Sequence, residues 1–296
     1  MPGNRSGLSI GLLTLVVLCG ASETARAQVP SRIVSTSPST TEVLFALGLG
    51  SRVVGVSTYC RYPEATTSLP KVGTFLRPST ELIARLRPDL AIVSQGANDV
   101  PRQLSLLGIR SVTIEEARSL DSVRSMIREI GRATGSAERA DALVSDIQAR
   151  LDRVRASVRG GPRTRVLVVV GRSPGSLTDL VVVGRGSYLS DLVGVAGGVN
   201  VLDDPALPSY PRISMETVIR LDPDVIVDAG DMGDTVAEHV RRQSVTEGLW
   251  RRQASVAAAR RGAVHAVTSD AFVVPGPRVV EAAETLAAWL RDAGRR

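Results

Sequence analysis

Residues 81–93 read ELIARLRPDLAIV, and residues 216–228 read ETVIRLDPDVIVD. The two stretches correspond position by position: an acid, a short helical run, Leu-x-Pro-Asp, then an apolar run of strand length. Proline disfavours helix at the residue before it, so each copy spells a helix that stops and a buried strand that begins.

Outward from either copy the same alternation continues. The first half carries RIVS (32–35), TEVLFALG, RVVGV (52–56), ELIARL, DLAIV (89–93), VPRQLSLLG and SVTI (111–114). The second carries RVLVVV (165–170), DLVVVG, the helical SYLSDLVGVAGG, the second copy of the unit, an amphipathic helix over about 235–246, AVHAV (263–267) and a closing helix over 277–290. Strands alternating with helices predict parallel strands joined by crossovers.

Between the halves, apolar residues at 140, 143, 144, 147, 151, 154 and 158 form one helical face. Ser136 stands as its N-cap and Gly160-Gly161-Pro162 as its stop. The spacing predicts a helix about 33 Å long, a strut and not a flexible linker. The expected fold class is α/β: two Rossmann-like βα lobes, over 28–135 and 161–296, joined by one long helix over 136–160. A ligand cleft should lie between the lobes, where strand carboxyl ends face each other.

At 296 residues, 43% hydrophobic and 22% charged, the chain is long enough for two such cores, and neither disorder nor a fibrous class fits. Residues 1–27 are expected to be a cleaved export signal: Arg5, the apolar run LSIGLLTLVVLCG, then Ala25-Arg26-Ala27 as the cleavage site. A retained anchor would need a longer apolar run. Lipidation of Cys19 is the other option, with the bulky Leu18 against it. Cleavage leaves Cys60 as a lone thiol, so no internal disulfide holds the mature chain. The net charge of +6 comes from arginines spread along the chain, with Lys71 the single lysine, and no aromatic-studded basic stripe argues for nucleic acid.

The duplicated acids Glu81 and Glu216 have two readings. Ser79 and Ser214 would cap the two helices, and a first-turn acid suits the helix dipole. Alternatively, one carboxylate on each lobe offers matched contacts to a two-fold partner with arginine pockets.

Residues 32 to about 290 resemble the periplasmic cobalamin-binding proteins of ABC importers, whose lobes are joined by a single long helix. The stretches that carry the resemblance are STYCRYPEA (57–65), VGTFLRPSTELIARLRPDLAIV (72–93), GRGSYLSDLVGVAGGVNV (184–201), PSYPRISMETVIRLDPDVIV (208–227) and TSDAF (268–272). The resemblance implies a periplasmic receptor that is not an enzyme, carries no cofactor of its own, acts as a monomer and delivers a corrinoid to a dimeric ABC permease. It implies that Glu81 and Glu216 dock into that permease. It places the ligand against Tyr59, Phe75, Tyr210, Asp270 and Phe272, and a flat, largely apolar ligand suits aromatic faces with few polar anchors. Where the family carries a further aromatic after the DLAIV strand this chain has Ser94, and where it has a basic residue after Asp270 this chain has Val273-Val274. A thinner cradle keeps heme or a ferric siderophore open, with Tyr59 or Tyr210 to ligate iron and Arg61, Arg77 and Arg212 to hold an anionic chelate.

Three other signals are set aside. Gly171-Arg172-Ser173-Pro174-Gly175 has the outline of a nucleophile elbow, with Asp228 and His265 downstream. Yet it leads into a strand, and Pro174 removes the amide an oxyanion hole needs. It reads as a turn at the cleft edge, with Arg172 near the ligand. GLGSRV (48–53) lacks the third glycine of a dinucleotide loop. His239 and His265 alone make no metal set.

Overall fold

The computed structural model describes residues 29–294 apart from 162, 231–235 and 268, with the backbone alone for 236–241. The expected export signal, Cys19 included, lies outside the described residues.

In the N-terminal lobe, β1 (Ile33–Ser35), β2 (Val53–Val56), β3 (Leu90–Ser94) and β4 (Ser111–Ile114) form a parallel sheet in the order β2-β1-β3-β4. The crossovers carry α1 (Pro38–Ala46), α2 (Thr80–Arg85) and α3 (Val100–Leu106). Then comes α4 (Leu120–Ala133), a helix absent from the expectations above. Its signal is in the sequence: Ser119 caps it by accepting from the Ser122 amide, and Leu120, Val123, Met126, Ile127 and Ile130 fall on one buried face.

The strut is present as α5 (Ala137–Ser157), 21 residues long. It buries Ala140, Val144, Ile147, Leu151 and Val154 in a single apolar core that runs from Ile33 and Ile92 of the first sheet to Val166 and Val227 of the second.

In the C-terminal lobe, β5 (Thr164–Gly171), β6 (Leu180–Val182), β7 (Gly198–Asn200), β8 (Arg212–Ile213), β9 (Val225–Asp228) and β10 (Val264–Ala266) form one sheet in the order β10-β9-β5-β6-β8, with β7 also paired to β5. It is covered by α6 (Tyr188–Val195), α7 (Met215–Leu221), α8 (Val236–Arg251), α9 (Ala257–Arg260) and α10 (Val279–Ala293). The uniformly parallel expectation fails at one edge, where β6 pairs antiparallel with both β5 and β8. The reason is the short 172–179 turn, bent by Gly175 (φ 69°) and Asp179 (φ 53°): a connection that short joins only antiparallel neighbours. The tail of the SYLSDLVGVAGG helix is also shorter than expected, because Gly197 (φ 88°) ends it and β7 begins.

The duplicated unit builds the same junction twice. Ser79 accepts from the Leu82 amide and Ser214 from the Thr217 amide, so both helices are capped as expected. Both then end at a left-handed residue, Arg87 (φ 46°) and Asp222 (φ 39°), before a buried proline. The next residue clamps the neighbouring strand. Asp89 accepts from the amides of Ser31 (2.8 Å) and Arg32 (3.0 Å), and Asp224 accepts from the amide of Arg165 (3.1 Å). In return Arg32 donates to the Leu86 carbonyl and Arg165 to the Leu221 carbonyl, each at 2.6 Å. Each arginine therefore satisfies the orphaned end of a helix while its own amide feeds the aspartate beyond it.

Burial opposes ionisation of Asp89, but the donors at Ser31 and Arg32 outweigh it and hold the carboxyl below the ordinary aspartate range. The folded pKa lies below the unfolded value of about 3.9, so this contribution is present above about pH 4 and is lost as pH falls through the folded value. Asp89→Asn should cost about 1 kcal/mol at pH 7, a fall of roughly 2–4 °C in melting temperature. Melting curves across pH 3–7 should show wild type and variant converging at the acid end; a gap independent of pH would show that the aspartate charge is not what holds the junction.

Candidate functional site

The carboxyl ends of β1, β3 and β4 open on one side of the first sheet, and there the chain leaves a cavity of about 540 Å³ between the lobes. Such a volume suits a small-molecule site. Its floor is polar: Ser37, Ser39 and Thr40 at the start of α1, and Gln95 and Asn98 after β3. Phe75 and Leu76 form one apolar wall, and Val273, Val274 and Pro275 reach across from the C-terminal lobe as the other. Glu115, Glu116 and Arg118, in the loop after β4, supply charge at the rim.

Several of the expected ligand positions meet here. Phe75 lines the cavity at 37% exposure, and Tyr59, 49% exposed, packs edge-on against it with ring centroids 5.8 Å apart. These are large rings left half in water, unlike the core aromatics. Ser94, Val273 and Val274, the departures noted from the sequence, all line the cavity. Tyr210 is also exposed. Its partial burial raises the phenol pKa, the Ser187 hydrogen bond opposes that shift, and the charge of Glu116 at the rim adds to it.

Other expected positions are elsewhere. Phe272 is 4% exposed and stacks on Trp289 at 5.5 Å, so its ring faces the core of the C-terminal lobe and not the cavity. His265 of β10 also stacks on Trp289, with ring centroids 4.4 Å apart. Arg172, expected at the ligand, is buried in an ion pair. Its Nε donates to Asp228 at 3.1 Å and its Nη2 to Thr246 Oγ1 at 2.6 Å. Trp250 Nε1 donates to the same carboxylate at 2.7 Å, so Asp228 ties α8 to the end of β9. A buried charge demands partners, and this arginine has spent its donors on them.

Asp270 is partly exposed but already bonded. It accepts from Arg278 Nη2 at 2.7 Å, and the same guanidinium grips Glu42 of α1. Burial drives Glu42 up to about 7 against the pull of Arg278. Sequence reasoning missed this cluster, and the cavity's serine-rich floor as well. The floor has a readable signal, since polar residues directly after strand ends are where α/β sheets bind ligands.

Beside Tyr59, the thiol of Cys60 is buried and lies 3.2 Å from both Thr41 and Ser57 hydroxyls. Burial raises its pKa, which suits packing and not nucleophilic work. Ser173 Oγ donates to Asp179 at 2.6 Å in a turn that leads to strand β6, and no helix opens there. Glu81 and Glu216 lie on the surface. Glu81 pairs with Arg85 one turn on, and a hydrogen bond from Ser214 holds the Glu216 carboxyl below its ordinary pKa.

With this geometry in hand, comparison with known proteins is direct. Residues 33–261 match the family described as periplasmic binding protein. A vitamin B12-binding protein of Vibrio cholerae is 28% identical over 269 residues, covering 90% of this chain and 91% of that one. Among solved structures, the apo form of the periplasmic heme-binding protein RhuT from Roseiflexus sp. RS-1 superposes with a TM-score of 0.76 at 28% identity, over 89% of this chain and 99% of that one. The periplasmic vitamin B12-binding protein BtuF of Vibrio cholerae superposes with a TM-score of 0.72 at 27% identity, over 90% and 99%. Two lobes on one helix with a cavity between them are the architecture these proteins share with it, and the chain belongs to the periplasmic binding protein family, the substrate-binding components of ABC transporters.

Proposed function

We propose that this protein is an exported receptor that captures a corrinoid between its lobes and delivers it, as a monomer, to a dimeric ABC permease. The observation that carries the ligand class is the half-exposed ring of Phe75 on the wall of the cavity, with the exposed Tyr59 packed edge-on against it. Two ring faces beside an aliphatic wall suit a large flat ligand, and the serine, glutamine and asparagine floor suits its neutral amide edges. The vitamin B12-binding relatives support that reading.

A second reading, heme, is favoured by the similarity to RhuT and by the exposed Tyr59, whose ring packs on Phe75 of the cavity wall. Against it, Tyr210 is not among the residues that line the cavity. The acids Glu115 and Glu116 also stand where the carboxylates of an anionic ligand would meet like charge.

Export follows from the family, with cleavage after Ala27 as the proposed site. For docking, Glu81 and Glu216 each occupy the first turn of a surface helix in equivalent units of the two lobes, as a two-fold partner requires.

Titration calorimetry of the mature protein with cyanocobalamin, hemin and a ferric siderophore distinguishes the ligands. The expected result is one-site cyanocobalamin binding, weakened about tenfold by Phe75→Ala or Tyr59→Ala. Binding of hemin alone would overturn the corrinoid reading and keep the receptor. For docking, the double variant Glu81→Arg/Glu216→Arg should abolish ligand uptake in reconstituted vesicles while the calorimetric affinity stays unchanged. Uptake that survives the reversal would reduce the duplicated acids to helix architecture.

A further inference from the structure

Arg278, at the N-terminal end of α10, does not line the cavity, yet it holds three segments that do or that carry its aromatic wall. Its Nε donates to Glu42 Oε2 at 2.9 Å and its Nη2 to Glu42 Oε1, a two-pronged grip on α1. Two and three residues before Glu42 are Thr40 and Ser39 of the cavity floor. Nη2 also donates to Asp270, which opens the turn leading to Val273, Val274 and Pro275 of the far wall. The guanidinium carbon lies 3.9 Å from the centre of the Tyr62 ring, in the loop that presents Tyr59. Arg278 is 9% and Glu42 2% exposed at the side chain, so the contact is dry. Even the backbone is shaped for it: a Cβ on Gly276 would stand 3.2 Å from Glu42 Oε2.

The contact crosses from the N-terminal lobe to the C-terminal lobe beside the cavity. Other described polar links across the lobes are Leu120 to Asp191, and Arg150 on the strut to Glu284. Neither joins segments on both sides of the cavity. A planar fork with fixed donor directions can hold two carboxylates and a ring at once, whereas an ammonium cannot reproduce those directions. The geometry points to Arg278 as the positioning residue of the ligand site: through Glu42, Asp270 and Tyr62 it sets the separation of the cavity walls and the placement of Tyr59, without touching ligand.

The ligand half of the test rests on the receptor reading above; the structural half does not. Removing Glu42 or Arg278 alone would leave a buried charge and destabilise the fold, so the informative variant replaces both with apolar side chains, Glu42→Met/Arg278→Met, a change that often leaves stability equal or better, while Asp270, 23% exposed at the side chain, can turn to water. Arg278→Lys is its companion, keeping charge and losing the fork. Three readouts are needed on the full mature chain: melting temperature, hydrogen exchange by segment, and calorimetry with cyanocobalamin and hemin. The expected outcome for the double variant is an unchanged or higher melting temperature with faster exchange confined to residues 37–42, 57–63 and 270–276. The affinity of whichever probe binds wild type should fall at least about tenfold, and Arg278→Lys should fall between the two. Unchanged exchange in those segments, or affinity within about twofold of wild type, overturns the proposal. Faster exchange throughout the protein also overturns it, because that is the mark of a residue that only stabilises the fold. If neither probe binds wild type, the receptor reading fails for those ligands and the exchange result still decides the role of Arg278.

Discussion

A helix that ends beside the start of a parallel strand leaves two debts in one place: the last carbonyls of the helix and the first amides of the strand. Everything else in this protein is arranged around how that is settled. In both lobes an arginine at the start of one central strand reaches the helix end, and an aspartate at the start of the next central strand takes the amides. The two strands so joined, β1 with β3 and β5 with β9, are the middle of each sheet. With the strand entries fixed at one end, the strand exits are fixed at the other, and the loops that leave them form the cavity.

The second copy differs from the first in its final residue. Where the first ends in the apolar Val93, the second ends in Asp228, which gathers Arg172, Trp250 and the Gly230 amide. That substitution turns a cleft-side strand end into an anchor for α8. It also holds Arg172 in a buried ion pair. Duplication gives the two lobes one construction, and a single buried charge gives them different work.

Much of this was legible beforehand. Two βα lobes, the strut and the capping serines Ser79 and Ser214 follow from periodicity and from proline, which act locally and so leave a local trace, whereas Ser136 stands at the N-cap position of the strut without a side-chain hydrogen bond to its amides. What stayed hidden depends on distant partners. Leu-x-Pro-Asp reads as a helix stop, but the strand clamp needs Arg32 and Arg165, which are remote in sequence. Phe75 and Tyr59 were read as cleft residues and lie beside the cavity, whereas Phe272 was grouped with them and packs on Trp289. A loop aromatic carries no sign of which way it turns. Helix α4 is a different kind of omission, because its cap and its apolar face were both in plain view. Arg278 could not have been singled out, since its principal partner is 236 residues away.

That separation bears on the order in which the molecule can be made. A chain emerging N-terminus first can pair every strand of the first sheet once residue 114 is available. The wall at 273–275 and the guanidinium that fastens it arrive only with the final helix. The first sheet thus precedes the fastened cavity wall in chain order, and a chain stopped short of Arg278 would carry the wall at 273–275 without the guanidinium that ties it to α1.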